Sequence, residues 1–173
     1  MAEQYDVVVI GAGPGGYIAA IRAAQLGFKV ACIDDWTRKD GKPAPGGTCT
    51  NVGCIPSKAL LQSSENFEHA GHAFADHGIG VAGLTMDVAK MLARKERVVA
   101  QNNDGILFLF RKNKVAFFHG VGSFAGRDGE RWKVNVAGAS GVRPQTIGCG
   151  RPLLGTRTTV ETAHRRSSAP VFP

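Results

Sequence analysis

The segment YDVVVIGAGPGG at residues 5–16 restricts the folds open to this chain more than any other stretch. Its first six residues place β-branched side chains on both faces, which is typical of a buried strand in a parallel sheet. An alanine-rich helical pattern follows at residues 17–27, and FKVACI at residues 28–33 predicts a second strand. This order predicts a βαβ unit and hence an α/β fold with a parallel sheet.

Three glycines between the first strand and the helix, Gly11, Gly13 and Gly16, form the pattern G-x-G-x-x-G. The first permits a tight turn, the second lets the backbone approach a pyrophosphate, and the third lets the helix pack closely on the strand. Pro14 suits the first turn of a helix, whose free N–H groups attract phosphate. The pattern predicts a Rossmann-like dinucleotide site. It does not separate FAD from NAD, and a glycine turn without a ligand is the alternative.

An acidic residue, Asp34, ends the second predicted strand. It stands at about the distance from the glycines that is expected of the acid holding a ribose hydroxyl. Asp35 lies beside it and is the alternative for this role.

Cys49 and Cys54 stand five positions apart in GGTCTNVGCIPSK. Zinc requires about four ligands, usually in two close pairs, and no histidine lies at ligand spacing from these cysteines. Two inert buried thiols are a second alternative. A redox pair is the interpretation we favour, because a nearby helix start would lower a thiol pKa. Lys58, one helical turn after Cys54, is either a positive charge for a thiolate or reduced cofactor, or a solvated surface lysine.

The rest of the chain predicts two helices and a hairpin. The helices are expected from Pro56 and across the stretch MDVAKMLARKERVVAQNNDGILFLFRKN, and strands are expected at KVAFFHGVGSF and RWKVNVAG. After about residue 141 no sustained period remains. We therefore expect a folded domain over residues 1–141 and a poorly ordered tail, without strand or helix, over residues 142–173.

Composition argues against two classes of partner. The net charge is +7, but five of the 21 basic residues and only one of the 14 acids lie in residues 142–173, so the excess does not mark a nucleic-acid-binding face. No apolar run approaches the roughly 18 residues that would span a bilayer. The N-terminus lacks the basic region of a secretory signal. We expect a cytoplasmic protein that binds neither nucleic acid nor membrane.

The stretches GAGPGGYIAAIRAAQLG and GGTCTNVGCIPSKALL together closely resemble the N-terminal part of the dihydrolipoamide dehydrogenases, in the pyridine nucleotide–disulfide oxidoreductase family. The resemblance extends over about residues 4–140. It implies a flavoprotein that oxidises dihydrolipoamide through a cysteine disulfide and FAD to NAD. Mercuric and small-thiol reductases share the two-cysteine pattern and are the alternatives of the same architecture.

The resemblance also implies roles for individual residues. Cys49 would exchange with the substrate, Cys54 would contact the flavin as a thiolate, and Lys58 would lie near the flavin ring. Asp34 would hold the adenosine ribose, although the family usually has a longer glutamate there. The remaining positions that the resemblance assigns to FAD are Gly11, Gly13, Pro14, Gly15, Gly16, Gly47, Thr48 and Gly122.

Relative to the family, the pattern is incomplete. Its members are more than twice as long, and no NAD site, dimerisation domain or proton-accepting base is recognisable in this chain. In the family the substrate is carried by an acyltransferase of a 2-oxoacid dehydrogenase complex, and the enzyme is a homodimer. Turnover by this chain alone is therefore uncertain on sequence grounds, and an inactive nucleotide-binding fragment is the alternative from another class.

Overall fold

The computed structural model describes residues 3–138 and 144–155. The strands of this part are β1 (Gln4–Ile10), β2 (Val30–Asp34), β3 (Ala116–Asp128), β4 (Arg131–Gly138) and β5 (Gln145–Leu154). The helices are α1 (Pro14–Gln25), α2 (Gly47–Asn51), α3 (Cys54–His72) and α4 (Val88–Lys112), with a short 3₁₀ turn at Phe74–His77.

The strands combine a parallel sheet with an antiparallel one. β1 lies between β2 and β5 and runs parallel to both, and the start of β3 pairs parallel to β2. β4 pairs antiparallel with the second half of β3 and with the first half of β5. Because the two long strands take part in both sheets, the five strands close into a ring.

Two apolar clusters fill the fold, one on each face of the parallel strands. Val8 and Ile10 of β1 point into the ring, whereas Val7 and Val9 point outward. Alternate side chains of a strand point to opposite faces, so β1 is buried on both. The inner cluster comprises Tyr5, Val8, Ile10, Ala31, Ile33, Val134, Val136, Ile147 and Cys149. The outer cluster packs β1 and β2 against α1 and α4 through residues that include Ala20, Ile106 and Phe110.

The helices α3 and α4 pack against each other beside the ring. Arg94 of α4 donates to the backbone oxygen of Ala59 at 2.9 Å and to Ser63 Oγ at 3.3 Å. Asp87 caps α4, because its carboxylate accepts a hydrogen bond from the backbone N–H of Lys90 at 3.0 Å. No helix in the described part of the chain is long and apolar enough to cross a membrane.

The predicted βαβ unit, the two long helices and the hairpin are confirmed. The expectation that no strand follows residue 141 is wrong, because residues 145–154 form β5. Backbone pairing with both β1 and β4 supplies the stability that the local sequence pattern does not indicate. Residues 142–143 and 156–173 of the predicted tail lie outside the described residues.

Candidate functional site

The glycine loop joins β1 to α1 at the carboxyl end of the parallel strands. Gly11 has φ +98°, a left-handed conformation that favours glycine, and its N–H donates to Ile33 O at 2.7 Å. A Cβ atom on Gly16 would overlap the carbonyl oxygen of Gly11. Gly13 caps α1, and Pro14 is the first residue of that helix. The loop therefore has the tight turn and the close helix packing that the glycine pattern predicts.

Asp34 lies against this loop. Its Oδ2 accepts a hydrogen bond from the backbone N–H of Ala12 at 2.6 Å, and its Oδ1 accepts one from Trp36 N at 3.0 Å. The side chain is only 5% exposed, and burial raises the pKa of its carboxyl above the ordinary value, although the two N–H donors act in the opposite direction. Asp35, the alternative acid, is exposed.

A segment from Gly46 to Cys54 carries both cysteines of the predicted redox pair. Cys49 lies within α2, and Cys54 is the first residue of α3. The N–H of Gly46 donates to the carbonyl oxygen of Ala12 at 2.8 Å. This bond attaches the cysteine segment directly to the glycine loop.

The connection between α2 and α3 is also fixed by hydrogen bonds. The carbonyl oxygen of Thr48 accepts from Val52 N at 3.0 Å and from Gly53 N at 2.8 Å. A Cβ atom on Gly53 would lie 3.1 Å from that same oxygen, so the turn leaves little room for a side chain. The turn brings Cys54 back towards Cys49.

The two thiols are free and in contact. Cys49 is partly buried and Cys54 is exposed. The side-chain hydrogen bond with Cys54 is the main cause that raises the pKa of Cys49, and burial and the charge of Cys54 raise it further. The expectation that a helix start lowers the thiol pKa is therefore wrong for Cys49. The hydrogen bond with Cys54 favours the protonated thiol, and this is the largest of the effects on its pKa.

The other predicted site residues lie in α2 and α3, in β3 and at the start of α1. Gly47 and Thr48 lie in α2 with Cys49, and Lys58 is exposed on α3, one turn after Cys54. Gly122 lies within β3, where an added Cβ would be 3.0 Å from Ile10 Cγ2 and 3.1 Å from Ile33 Cδ1. Gly15, with Pro14, is exposed at the start of α1.

Sequence reasoning missed four residues that hold these parts together. Ala12 connects Asp34 with Gly46 through its backbone, and Gly155, just after β5, packs against Gly16. Asn51 and Asn103 join α2 to α4 by side-chain hydrogen bonds. Asn103 carried a detectable signal: it is a polar residue on the otherwise apolar face of α4 that also contains Val99, Ile106 and Phe110.

The arrangement suits thiol–disulfide chemistry. Two thiols in contact can be oxidised to a disulfide with little rearrangement, and both lie on the segment that bonds to the glycine loop through Gly46. Over residues 3–138 and 144–155, no group of three or more His, Cys, Asp or Glu side chains is placed to hold a metal ion.

Comparison with known sequences gives a consistent result. A sequence profile of the pyridine nucleotide-disulphide oxidoreductases matches residues 5–165. A dihydrolipoyl dehydrogenase of Cupriavidus necator is 56% identical over 149 residues, which are 85% of this chain and 31% of that protein. A mitochondrial dihydrolipoyl dehydrogenase of Pisum sativum is 51% identical over 71% of this chain and 23% of its own length. A dihydrolipoyl dehydrogenase of Trypanosoma brucei is 48% identical over 89% of this chain and 30% of its own length. The chain thus spans about a third or less of the length of these relatives.

Proposed function

The chain belongs to the pyridine nucleotide–disulphide oxidoreductase family. From this we propose that it is the FAD and disulfide portion of a dihydrolipoyl dehydrogenase. Electrons would pass from dihydrolipoamide through a Cys49–Cys54 disulfide to FAD, and then to NAD. One observation carries the proposal: two thiols in contact lie on a segment bonded to the glycine loop through Gly46 and Ala12. The family relatives that bear this enzyme's name support the choice of substrate.

The residues present fit the adenosine and pyrophosphate half of FAD. The left-handed turn at Gly11 and the close packing of Gly16 on that turn place the start of α1 directly after β1. We assign the start of this helix, including Gly13, Pro14 and Gly15, to the pyrophosphate. FAD, when bound, supplies an acceptor for the two electrons of the dithiol.

Asp34 is assigned to the adenosine ribose, although both of its oxygens already accept a backbone hydrogen bond. A carboxylate oxygen has two lone pairs, so each can accept a second hydrogen bond from a hydroxyl group. Aspartate is shorter than the glutamate that is usual in the family. Its hydrogen bond with the N–H of Ala12 fixes the side chain against the glycine loop. Gly47, Thr48, Lys58 and Gly122 complete the proposed set of FAD contacts.

The first half-reaction is an exchange of disulfides. A substrate thiolate attacks the sulfur of Cys49, forms a mixed disulfide, and releases Cys54 as a thiolate. The second substrate thiolate then attacks the substrate sulfur of that mixed disulfide, closes the lipoamide ring, and releases Cys49. One disulfide is reduced, one dithiol is oxidised, and the two substrate protons are transferred to the site or to solvent.

The raised pKa of Cys49 determines where one of these protons is held. A sulfur that resists ionisation beside Cys54 takes up a proton as it is released. Cys54, the leaving sulfur of the first step, is the one that the family resemblance places against the flavin.

The partners belong to the same proposal. The substrate would be presented in the cytoplasm by an acyltransferase of a 2-oxoacid dehydrogenase complex; the homodimer is a property of the longer members of the family. A mercuric or small-thiol reductase remains the alternative of the same architecture, and substrate choice separates the two.

The visible absorbance of the purified chain with added FAD tests the proposal. We expect a bound-flavin spectrum that bleaches when dihydrolipoamide is added without oxygen. Cys54→Ser should bind FAD but lose the bleaching, whereas Cys149→Ala, which changes a buried cysteine of the core, should keep it. A colourless chain that FAD does not reconstitute, or a Cys54→Ser variant that bleaches like the wild type, contradicts the proposal. Bleaching by glutathione but not by dihydrolipoamide favours the small-thiol alternative.

A further inference from the structure

Asn103 is a fully buried polar residue in the middle of α4, with a relative exposure of 0%. Its Nδ2 donates to the backbone oxygen of Pro45 at 2.8 Å and to Asn51 Oδ1 at 3.1 Å. Both acceptors belong to the residues that lead into or form α2, the helix that carries Cys49.

Asn51 extends this connection into the backbone of the cysteine segment. Its Nδ2 donates to the carbonyl oxygens of Ala44 at 2.8 Å and Gly47 at 3.0 Å. The two amides therefore form a continuous bridge from α4 to residues 44–51.

The buried amide of Asn103 has a free-energy cost that an apolar residue would not have. Its Oδ1 is buried and has no hydrogen-bond partner among the described residues, and such a group has a desolvation cost. Its neighbours on the same face of α4, Val99, Ile106 and Phe110, are apolar. The benefit of the amide at this position is the orientation of what it binds, rather than stability of the core.

The same helix also holds the other cysteine. Arg94 of α4 donates to Ala59 O at 2.9 Å, and Ala59 lies on α3, which begins at Cys54. Cys49 is thus positioned relative to α4 by Asn103, and Cys54 by Arg94. The distance between the two sulfurs depends on both attachments.

We propose that Asn103 is a positioning residue that sets the redox equilibrium of the Cys49–Cys54 pair by holding α2 against α4. The proposal rests on the redox role given to this pair above. A disulfide requires two Cβ atoms within about 3.5–4.5 Å, so an attachment that restricts both segments favours the disulfide over the dithiol. Without it the two thiols sample wider separations, and the disulfide becomes easier to reduce.

The redox equilibrium can be measured on the whole chain in glutathione buffers. Reduction breaks the one S–S bond and forms two Cys thiols, while two glutathione thiols lose two electrons and two protons and become one glutathione disulfide. Acid quenching, alkylation of free thiols and mass spectrometry give the fraction of Cys49 and Cys54 that is reduced at each buffer ratio. The measurement needs no flavin and no turnover.

Asn103→Ala and Asn102→Ala form a matched pair of variants. Asn102 is exposed, and its Nδ2 bonds within α4, to Val98 O at 2.8 Å. We expect Asn103→Ala to favour the dithiol by about tenfold in the equilibrium constant, which equals ~30 mV for a two-electron couple. Asn102→Ala should match the wild type. Asn103→Ser, whose hydroxyl can replace one of the two donors, should show a smaller shift in the same direction and serves if Asn103→Ala does not fold.

The results that overturn the inference are distinct from those that overturn the function. If Asn103→Ala lowers the urea midpoint but leaves the redox equilibrium unchanged, Asn103 is only structural. If Asn103→Ala does not fold and Asn103→Ser has the wild-type equilibrium, the inference is equally wrong. If the wild-type chain forms no Cys49–Cys54 disulfide at any buffer ratio, the redox function itself fails, and the inference fails with it.

Discussion

At the scale of single residues, Ala12 connects the parts of the site although its side chain takes no part. Its N–H donates to Asp34 and its carbonyl accepts from Gly46, so one peptide unit on each side joins the acid, the glycine loop and the cysteine segment. The side chain is fully buried. Sequence patterns identify Asp34 and the cysteines by residue type. The backbone hydrogen bonds of Ala12 do not depend on its residue type, so no sequence pattern identifies them. This is why the loop and the acid were predicted and their connection was not.

The third glycine of the loop gives a stability prediction. Gly16→Ala places a Cβ atom on the carbonyl oxygen of Gly11, which belongs to the backbone and cannot rotate away. We expect the free energy of unfolding to fall by at least ~1–3 kcal/mol, the usual cost of overpacking. Urea denaturation followed by circular dichroism measures it.

The neighbouring glycine provides the control. In Gly15→Ala the new Cβ would lie 3.7 Å from Gly155 O, an ordinary contact, so its free energy of unfolding should stay within ~1 kcal/mol of wild type. Equal stability of the two variants would contradict the close packing of α1 on the loop.

Asp34 gives a prediction on pH. Burial raises its pKa above the ordinary 3.8, so the folded chain binds this proton more tightly than the unfolded chain does. Its contribution to stability is fully present below that ordinary value and is lost as pH rises through the raised pKa. Asp34→Asn stays neutral, so its unfolding free energy relative to wild type should increase over that window.

Urea denaturation of both proteins at several pH values measures this difference, and Asp35→Asn, at an exposed position, is the control. A relative stability of Asp34→Asn that does not change with pH would show that the two N–H donors balance burial, and one that falls as pH rises would show that they outweigh it.

At the scale of elements, local pattern decided what the sequence could predict. β1 and β2 are short apolar runs, and α1 and α4 have a helical period, so their existence and type were predicted from the local sequence. β5 has neither feature, because Gly148, Gly150 and Pro152 disfavour a strand. The structure explains the exception: a Cβ on Gly150 would lie 3.0 Å from Asp6 O, and Pro152 lies in the part of β5 that pairs with β1 and not with β4. Pairing partners more than a hundred residues away are not visible in a local pattern.

The placement of β5 predicts the effect of truncating its buried side chain. Ile147 is 1% exposed and packs inside the ring, so Ile147→Ala should lower the free energy of unfolding by ~2–5 kcal/mol. Thr146→Ala, next to it, removes an exposed hydrogen bond of 2.7 Å to Asn135 and should cost ~1 kcal/mol or less. Denaturation midpoints compare the two variants. A loss for Ile147→Ala no larger than that for Thr146→Ala would mean that residues 145–154 do not pack in the core.

At the scale of the whole molecule, the candidate site lies at one edge of the parallel sheet. The glycine loop follows β1, Asp34 ends β2 and Gly155 follows β5. The carboxyl ends of three neighbouring parallel strands therefore lie together at this edge. Such an edge is where α/β sheets bind ligands, and this much followed from the predicted topology. The cysteine segment is bonded to the same edge through Gly46 N–H, and Asn103 of α4 donates a hydrogen bond to Pro45 O, next to that segment. Its position depends on contacts between distant segments, which is why the sequence indicated its chemistry but not its location.

The hydrogen bond between Gly46 and Ala12 predicts that a ligand bound at the glycine loop also changes amide hydrogen exchange in the cysteine segment. ADP is the half of FAD that we assign to the loop, and ordering the loop by ADP should stabilise the 2.8 Å bond from Gly46 N to Ala12 O. We therefore expect ADP to slow amide hydrogen exchange severalfold in peptides from residues 11–16 and also in peptides from residues 46–54. The exposed residues 79–87 serve as the internal control and should exchange at an unchanged rate.

Protection limited to residues 11–16 would show that the two segments respond independently. Equal protection in residues 79–87 would show a general stabilisation of the fold, because a ligand that binds only the folded chain slows every exchange that requires global unfolding.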